Sequence, residues 1–268
     1  MHIGFMFGGF VGSNNERGAD WGEDLLSTVA TNTIRHLFTR SEDVAVKVRC
    51  QPSSKLLQGS IDSFQMQGRG LVIRRHFRTE VLSFETDAVA IDFGSVLKGQ
   101  LALKQPTQAV AQVTLTEADI NQAFQAPLVR QRLENLTLPE LTNLSGGQPV
   151  SFTEVKLTLL PQNRVQLYAL ADLTNRQIPV SFSCKLGLLK RRRITYGEAQ
   201  FEPEPVPEGD RDLSKILSEI LVGIMNDMVD LDRFDLDGVL LRLNRLETQG
   251  EQLLFSGYAQ IERIPRQP

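Results

Sequence analysis

KGQLALKQPTQAVAQVTLTEADINQAF, residues 98 to 124, changes its period in the middle. Ala109, Ala111, Val113 and Leu115 alternate with Val110, Gln112 and Thr114. A two-residue period belongs to a strand with one buried face. At Thr116 the pattern shifts. Asp119 follows three residues later, at capping-box spacing, although Glu or Gln is more usual there. Ile120, Ala123 and Phe124 then fall three and four apart, on one face of a helix. A strand with one apolar face therefore runs straight into an amphipathic helix. The rest of the chain reads as variations on this junction: curved antiparallel strands covered by amphipathic helices.

On the N-terminal side, Asp20 to Arg40 reads as a helix. Trp21, Leu25, Leu26, Val29, Ile34, Leu37 and Phe38 form its apolar stripe, opposite Glu23, Asp24, Asn32 and Arg35, and Asp20 can cap it. From Val44 the chain reads as strands: Val44, Val46 and Val48, then Phe64 and Met66, then segments around Leu71–Ile73 and Phe77–Phe84, then Val89, Ile91 and Phe93. Gly68 and Gly70 mark a turn or bulge. Pro127 breaks the second helix near Gln125–Pro127, and a further helical piece is expected from Leu128 to Leu136.

The second half repeats the grammar. Val155, Leu157 and Leu159 alternate, Pro161–Asn163 turns, and Val165, Leu167, Ala169, Ala171 and Leu173 form a long strand. Ile178, Val180, Phe182, Cys184 and Leu186 form another, and Arg193 to Phe201 a third. Asp212 to Leu231 carries the strongest helical stripe, with Asp210 or Asp212 as cap. A hairpin closes the sequence: Leu236 to Leu246, a turn near Gln249–Gly250, and Leu253 to Ile264. Without βαβ alternation a parallel sheet is not expected. The expectation is an α+β protein. A single domain spans 20–268 behind a flexible apolar tail, 1–19, with connectors at 139–150 and 202–210.

Composition narrows function by exclusion. With 268 residues, 41% hydrophobic, and a net charge of -3, the chain can bury a core and carries no overall basic footprint for nucleic acid. Cys50 and Cys184 read as two buried thiols, which fits a reducing compartment; a disulfide between them is the alternative. The apolar run Ile3–Val11 in MHIGFMFGGFVGSNN lacks a basic leader and a small-residue cleavage site and is too short to span a bilayer. It reads either as a frayed terminus or as a tail dipping into a membrane surface. A cytoplasmic or peripheral-membrane protein is expected, with the extracytoplasmic side the alternative.

No catalytic constellation stands out. His2, His36 and His76 neighbour no metal-ligand spacing, and neither phosphate-loop template nor a GxSxG elbow occurs. LDRFDLDG, with Asp232, Asp235 and Asp237, lacks the spacing and terminal Glu of a calcium loop. Two basic patches remain: Arg74, Arg75 and Arg78, and Lys190, Arg191, Arg192 and Arg193. They read either as solvated hairpin tips that block edge pairing or as contacts to anionic head groups. No aromatic residues interleave with them, which argues against nucleic acid.

KLLQGSIDSFQMQGRGL, residues 55 to 71, and TDAVAIDFGSVLKGQLALKQPTQAVAQVTLTEADINQAF, residues 86 to 124, resemble the LmeA-like phospholipid-binding family. The resemblance rests on the Leu-Leu-x-Gly-x-Ile-Asp segment at Leu56 to Asp62, the Leu97–Lys98–Gly99 turn, the Pro106 strand and the Leu115–Asn121 junction. It implies a fold similar to the tubular lipid-binding (TULIP) proteins, a long helix against a strongly curved antiparallel sheet with acyl chains between them, and phospholipid binding at envelope membranes. On that implication the protein is a non-enzymatic lipid-binding or lipid-transfer protein at an anionic membrane surface. It would need no cofactor beyond a bound phospholipid or fatty acid. The expected groove lining is Leu25, Val29, Phe64, Met66, Phe84, Val113, Leu167, Phe182, Ile220, Ile224, Met225 and Met228, and the arginine patches would hold the phosphate end. Burial of apolar surface closes such a structure either by packing the slot solid or by filling it with lipid. A packed scaffold and a lipid-acting enzyme are the rival readings.

Overall fold

A computed structural model describes residues 21–52, 54–233 and 238–264. The apolar N-terminal tail, the Asp20 cap and the Asp235–Asp237 part of the acidic turn lie outside the described residues. The strands are β1 (Asp43–Arg49), β2 (Ser60–Ile61), β3 (Ser63–Ile73), β4 (Phe77–Thr86), β5 (Val89–Ala90), β6 (Thr107–Thr116), β7 (Val150–Leu160), β8 (Arg164–Leu173), β9 (Arg176–Leu189), β10 (Arg193–Phe201), β11 (Val239–Gln249) and β12 (Gln252–Ile261). The helices are α1 (Trp21–Arg35), α2 (Ser54–Leu57), α3 (Phe93–Val96), α4 (Glu117–Phe124), α5 (Pro127–Arg130), α6 (Pro139–Leu144) and α7 (Arg211–Met228). The fold is α+β, and the strand pairings between these elements are antiparallel.

Two larger sheets form. One has six strands in the order β1-β3-β4-β6-β12-β11, the other four in the order β10-β9-β8-β7. The closing hairpin therefore crosses back to finish the sheet begun by the first half of the chain. Because partners across a ladder share a face, register assigns every side chain in the large sheet. Val46, Met66, Phe84, Ala111, Gly257 and Leu243 lie in one row. Val44, Gly68, Leu82, Val113, Phe255 and Leu246 lie in the next. That face is apolar. The opposite face carries Lys47, Gln65, Gln67, Ser83, Glu85 and Gln112.

Two cores form, the first on the six-stranded sheet and the second on the four-stranded sheet, which also takes in Leu246 and Leu253 of the closing hairpin. In the first, α1 turns Leu26, Ala30 and Ile34 onto Val44, Val48, Phe64 and Met66. In the second, α7 lays Leu217, Leu221 and Met225 on a face built from Leu167, Phe182, Ala169 and Val180. Cys50 is buried in the first core and Cys184 in the second, both as thiols, so no disulfide joins them.

Several elements differ from the sequence reading. The first helix ends at Arg35, not Arg40, because Thr39 and Arg40 bond to the backbone of Val72. Gly68 and Gly70 lie inside β3, and Gly70 adopts φ 56 where a Cβ would overlap the Glu42 side chain. The helical piece after Pro127 stops at Arg130, since Leu136 is drawn into a bridge with Val150. The connector at 139–150 contains α6. Asp210 stands at the start of α7 without capping it and pairs with Arg176 instead. The sheets are not strongly curved, and the helices are shorter than the reading implies. α1 has 15 residues and α7 has 18, and the others have four to eight.

Candidate functional site

The β6–α4 junction at Thr116 holds the two sheets together. The Thr116 hydroxyl accepts from Asp119 N at 3.1 Å and the Asp119 carboxylate accepts from Thr116 N at 3.0 Å, a complete capping box. Asp119 is buried, and Arg78 of β4 reaches it at 3.0 Å. The same guanidinium contacts Glu42 at 3.0 Å and Glu80 at 2.8 Å, and these hydrogen bonds push its pKa further up. Glu117 accepts from Leu159 N at 2.8 Å. Asn121 accepts from Leu157 N at 2.7 Å and donates to Leu157 O at 2.8 Å, so α4 occupies the outer edge of β7. A second clip lies two strands away at the same end of the sheet, where Thr248 faces Leu253 and Leu253 faces Leu115. Asn163 donates to Leu246 O at 3.1 Å and accepts from Thr248 N at 2.9 Å.

Beyond these clips the apolar face of the large sheet passes from one core to the other. Leu82 and Phe84 pack against the first core and Phe255 against the second. Val113, directly between Leu82 and Phe255 in register, belongs to neither. Val46, Leu82, Phe84, Ala111, Val113 and Phe255 are only half-buried, whereas Met66, Ala109 and Ala259 around them are buried. The boundary between the cores is thus a half-covered apolar strip along β4 and β6. Two clefts also mark the surface. One of about 200 Å³ lies between Phe124, Arg130 and the β7 bulge at Glu154. Another of about 110 Å³ lies beside Gln112, Arg245 and Phe255. Both are below the roughly 300 Å³ at which small-molecule pockets begin.

The structure divides the expected groove lining. Val29, Phe64, Met66 and Phe84 stand on the first-core side, and Leu25, half-buried on α1, belongs to neither core. Leu167, Phe182, Ile220, Ile224, Met225 and Met228 stand on the second. Leu167, Phe182 and Met225 are buried in the packing of α7 on its sheet. Val113 marks the gap.

The basic residues are not brought together either. Ile73 pairs with Phe77, which leaves Arg74, Arg75 and His76 as one hairpin tip; Leu189 pairs with Arg193, which leaves Lys190, Arg191 and Arg192 as another. Both tips place their first two residues at positive φ. The two tips belong to different sheets. Arg78 is held by its three carboxylates. Arg191 O accepts from Leu243 N at 2.7 Å, and its guanidinium lies 5.7 Å from the Tyr258 ring centre. Arg192 pairs with Asp232, which Arg242 also contacts at 2.7 Å, and Arg193 pairs with Asp230 at 3.2 Å. The second tip is half of an ion-pair network fastening the β9–β10 hairpin to β11. The paired asparagine clips and these acidic partners left no signal in local sequence pattern.

Among the described residues no group of three or more His, Cys, Asp or Glu is placed to hold a metal, and no helix is long and apolar enough to cross a membrane. What the fold offers is half-buried apolar surface shared between two cores. The chain belongs to the LmeA-like phospholipid-binding family, whose profile matches residues 18–257. No curated protein matches it.

Proposed function

We propose that the protein is a non-enzymatic phospholipid-binding and lipid-transfer protein that lays acyl chains along the β4–β6 strip at a membrane surface. The observation that carries this reading is the position of Val113: apolar, half-buried, and claimed by neither core. A hydrocarbon chain lying there would complete the burial of Leu82, Phe84 and Phe255, with each buried methylene contributing about 0.8 kcal/mol. The solid packing of Leu167, Phe182 and Met225 supports a second reading for the four-stranded unit alone, as a scaffold.

Organic extraction of the purified protein followed by mass spectrometry tests the proposal. Phospholipid is expected from the wild type and at least fivefold less from Val113→Asp, with unchanged circular dichroism. A lipid-free wild type that also takes up no fluorescent phospholipid from vesicles would overturn it and leave the scaffold.

A further inference from the structure

The two most exposed large hydrophobic side chains among the described residues occupy equivalent places in two copies of one small motif. Leu56–Leu57–Gln58–Gly59–Ser60–Ile61 and Val96–Leu97–Lys98–Gly99–Gln100–Leu101 fold alike. In each, the first residue is buried and its carbonyl accepts from the glycine N–H at 2.9 Å. The glycine takes φ 77 in one and φ 75 in the other. The chain then reverses and buries Ile61 or Leu101. One residue after a buried helical position, the side chain must point about 100° away. A polar residue would serve there. Instead Leu57 is 68% exposed and Leu97 is 65% exposed, ahead of Leu128 at 54%.

The copies share one end of the molecule. Ser60, just after the first, pairs with Ala90, just before α3. Ile91 N donates to Gly59 O at 2.8 Å, and Lys104 Nζ reaches Gln58 O at 3.4 Å. Lys98 and Lys104 are exposed beside the leucines. Lys55 is paired with Asp62, and Asp92 caps α3, while Lys98 and Lys104 are exposed, as is Arg49 at the end of β1. Single exposed leucines are ordinary. Two on one end, flanked by lysines, form the footing of a peripheral membrane protein: apolar side chains enter the acyl boundary while cations meet phosphates. This end also lies where β3 begins and β4 finishes, within two residues of the half-covered strip at Phe84 and Ala111. The Arg74–Arg75 tip lies at the other end of β4, about 33 Å of strand away.

We infer that Leu57 and Leu97, with Lys98 and Lys104, dock the protein on a phospholipid bilayer with the strip opening toward it. The inference rests on the lipid-binding reading but names a different surface. Co-sedimentation with vesicles of phosphatidylcholine and phosphatidylglycerol tests it. Leu57→Ser/Leu97→Ser should lower the bound fraction by about tenfold or more, while Arg74→Ser/Arg75→Ser should change it less than twofold. Both variants should keep the wild-type melting profile, since the substituted residues are exposed. Leu97→Trp should shift its emission to the blue on vesicles and be quenched by brominated lipid.

Unaltered sedimentation of the leucine variant would overturn the inference, as would loss with the arginine variant alone. So would a change from dimer to monomer on leucine substitution without loss of vesicle binding, which would make the leucines a self-association contact. Lipid co-purification measured on the same leucine variant separates the two proposals: extracted lipid persists if the strip holds it, whatever becomes of docking.

Discussion

The Asn121 carboxamide forms two hydrogen bonds with the backbone of Leu157, accepting from its N–H and donating to its carbonyl. One side chain on α4 thereby does what a neighbouring strand would do at the edge of β7. Asn226 repeats the device at β10, accepting from Tyr196 N at 2.9 Å and donating to Tyr196 O at 3.2 Å. Exposed strand edges invite pairing with other chains, and such clips remove that liability.

Removing the clip at Asn121 leaves a backbone donor and acceptor short of partners. Asn121→Ala should lower unfolding stability by about 2 kcal/mol. Asn121→Asp should do no better, because the carboxylate keeps the acceptor but faces the Leu157 carbonyl with no proton to give. Urea unfolding curves with unchanged slope would check this, and a midpoint equal to the wild type would contradict it.

Arg78 joins three carboxylates, one of them the buried Asp119. Truncating it strands that charge. Arg78→Met should cost about 2 kcal/mol, less than for a fully buried pair because Arg78 is partly solvated. Arg78→Lys should recover only part of the loss, since one ammonium cannot copy the fork that reaches Glu42 and Asp119 with different nitrogens. Combining Arg78→Met with Asp119→Asn in a double-mutant cycle should give a coupling clearly above the error of measurement.

Burial pushes the Cys184 thiol up to about 11, against an opposing pull from Arg164. In the unfolded chain the thiol titrates near 9. Below that value both states keep the proton and stability is unaffected. Above it the unfolded chain ionises first, so stability falls as pH rises, by roughly 2 kcal/mol as it approaches 11. Burial raises the Tyr196 phenol as well, so it acts in the same direction at still higher pH. Urea midpoints compared for wild type and Cys184→Ala should show a flatter alkaline decline in the variant. Native protein should also resist thiol-alkylating reagents at Cys184.

Gly257 sits on the apolar face beside the bulge in β11, and a Cβ there would overlap the Arg242 carbonyl oxygen. Gly257→Ala therefore forces the closing hairpin apart rather than filling space. A loss of 2 kcal/mol or more is expected, with faster amide exchange in β11 and β12 than in the four-stranded sheet. A neutral result would mean that the β11–β12 spacing yields.

Local pattern made much of this legible. The change of period at Thr116, the cap at Asp119 and the break at Pro127 all follow from residues a few positions apart, and the structure has them. The alternating valines and leucines of β1, β6, β8 and β9 likewise point where their period says. What local pattern could not reveal is pairing over long sequence distance. Nothing near Leu253 says that it faces Leu115, so the division into two cores, with α1 and α7 covering different sheets, was out of reach. Both basic patches were visible as charge runs. Their partners, Glu42 and Asp119 for Arg78 and Asp230 and Asp232 for the second tip, come from other elements and become neighbours only on folding. Phe84 and Val113 were among the twelve expected lining residues, but their place along the boundary between the cores left no mark in the sequence.

The pairing of β12 with β6 along its whole length sets an order of assembly. During synthesis, β6 leaves the ribosome long before its mate exists, and everything from Glu117 to Glu251 is translated while that rim of hydrogen-bonding groups stays bare. The four-stranded sheet can form its ladders in the interval, but neither its core nor the first sheet is finished until the last ladder zips shut. A nascent chain stalled before Gln252 would present a sticky, unfinished rim, so chaperone demand should peak there and drop once the final hairpin emerges.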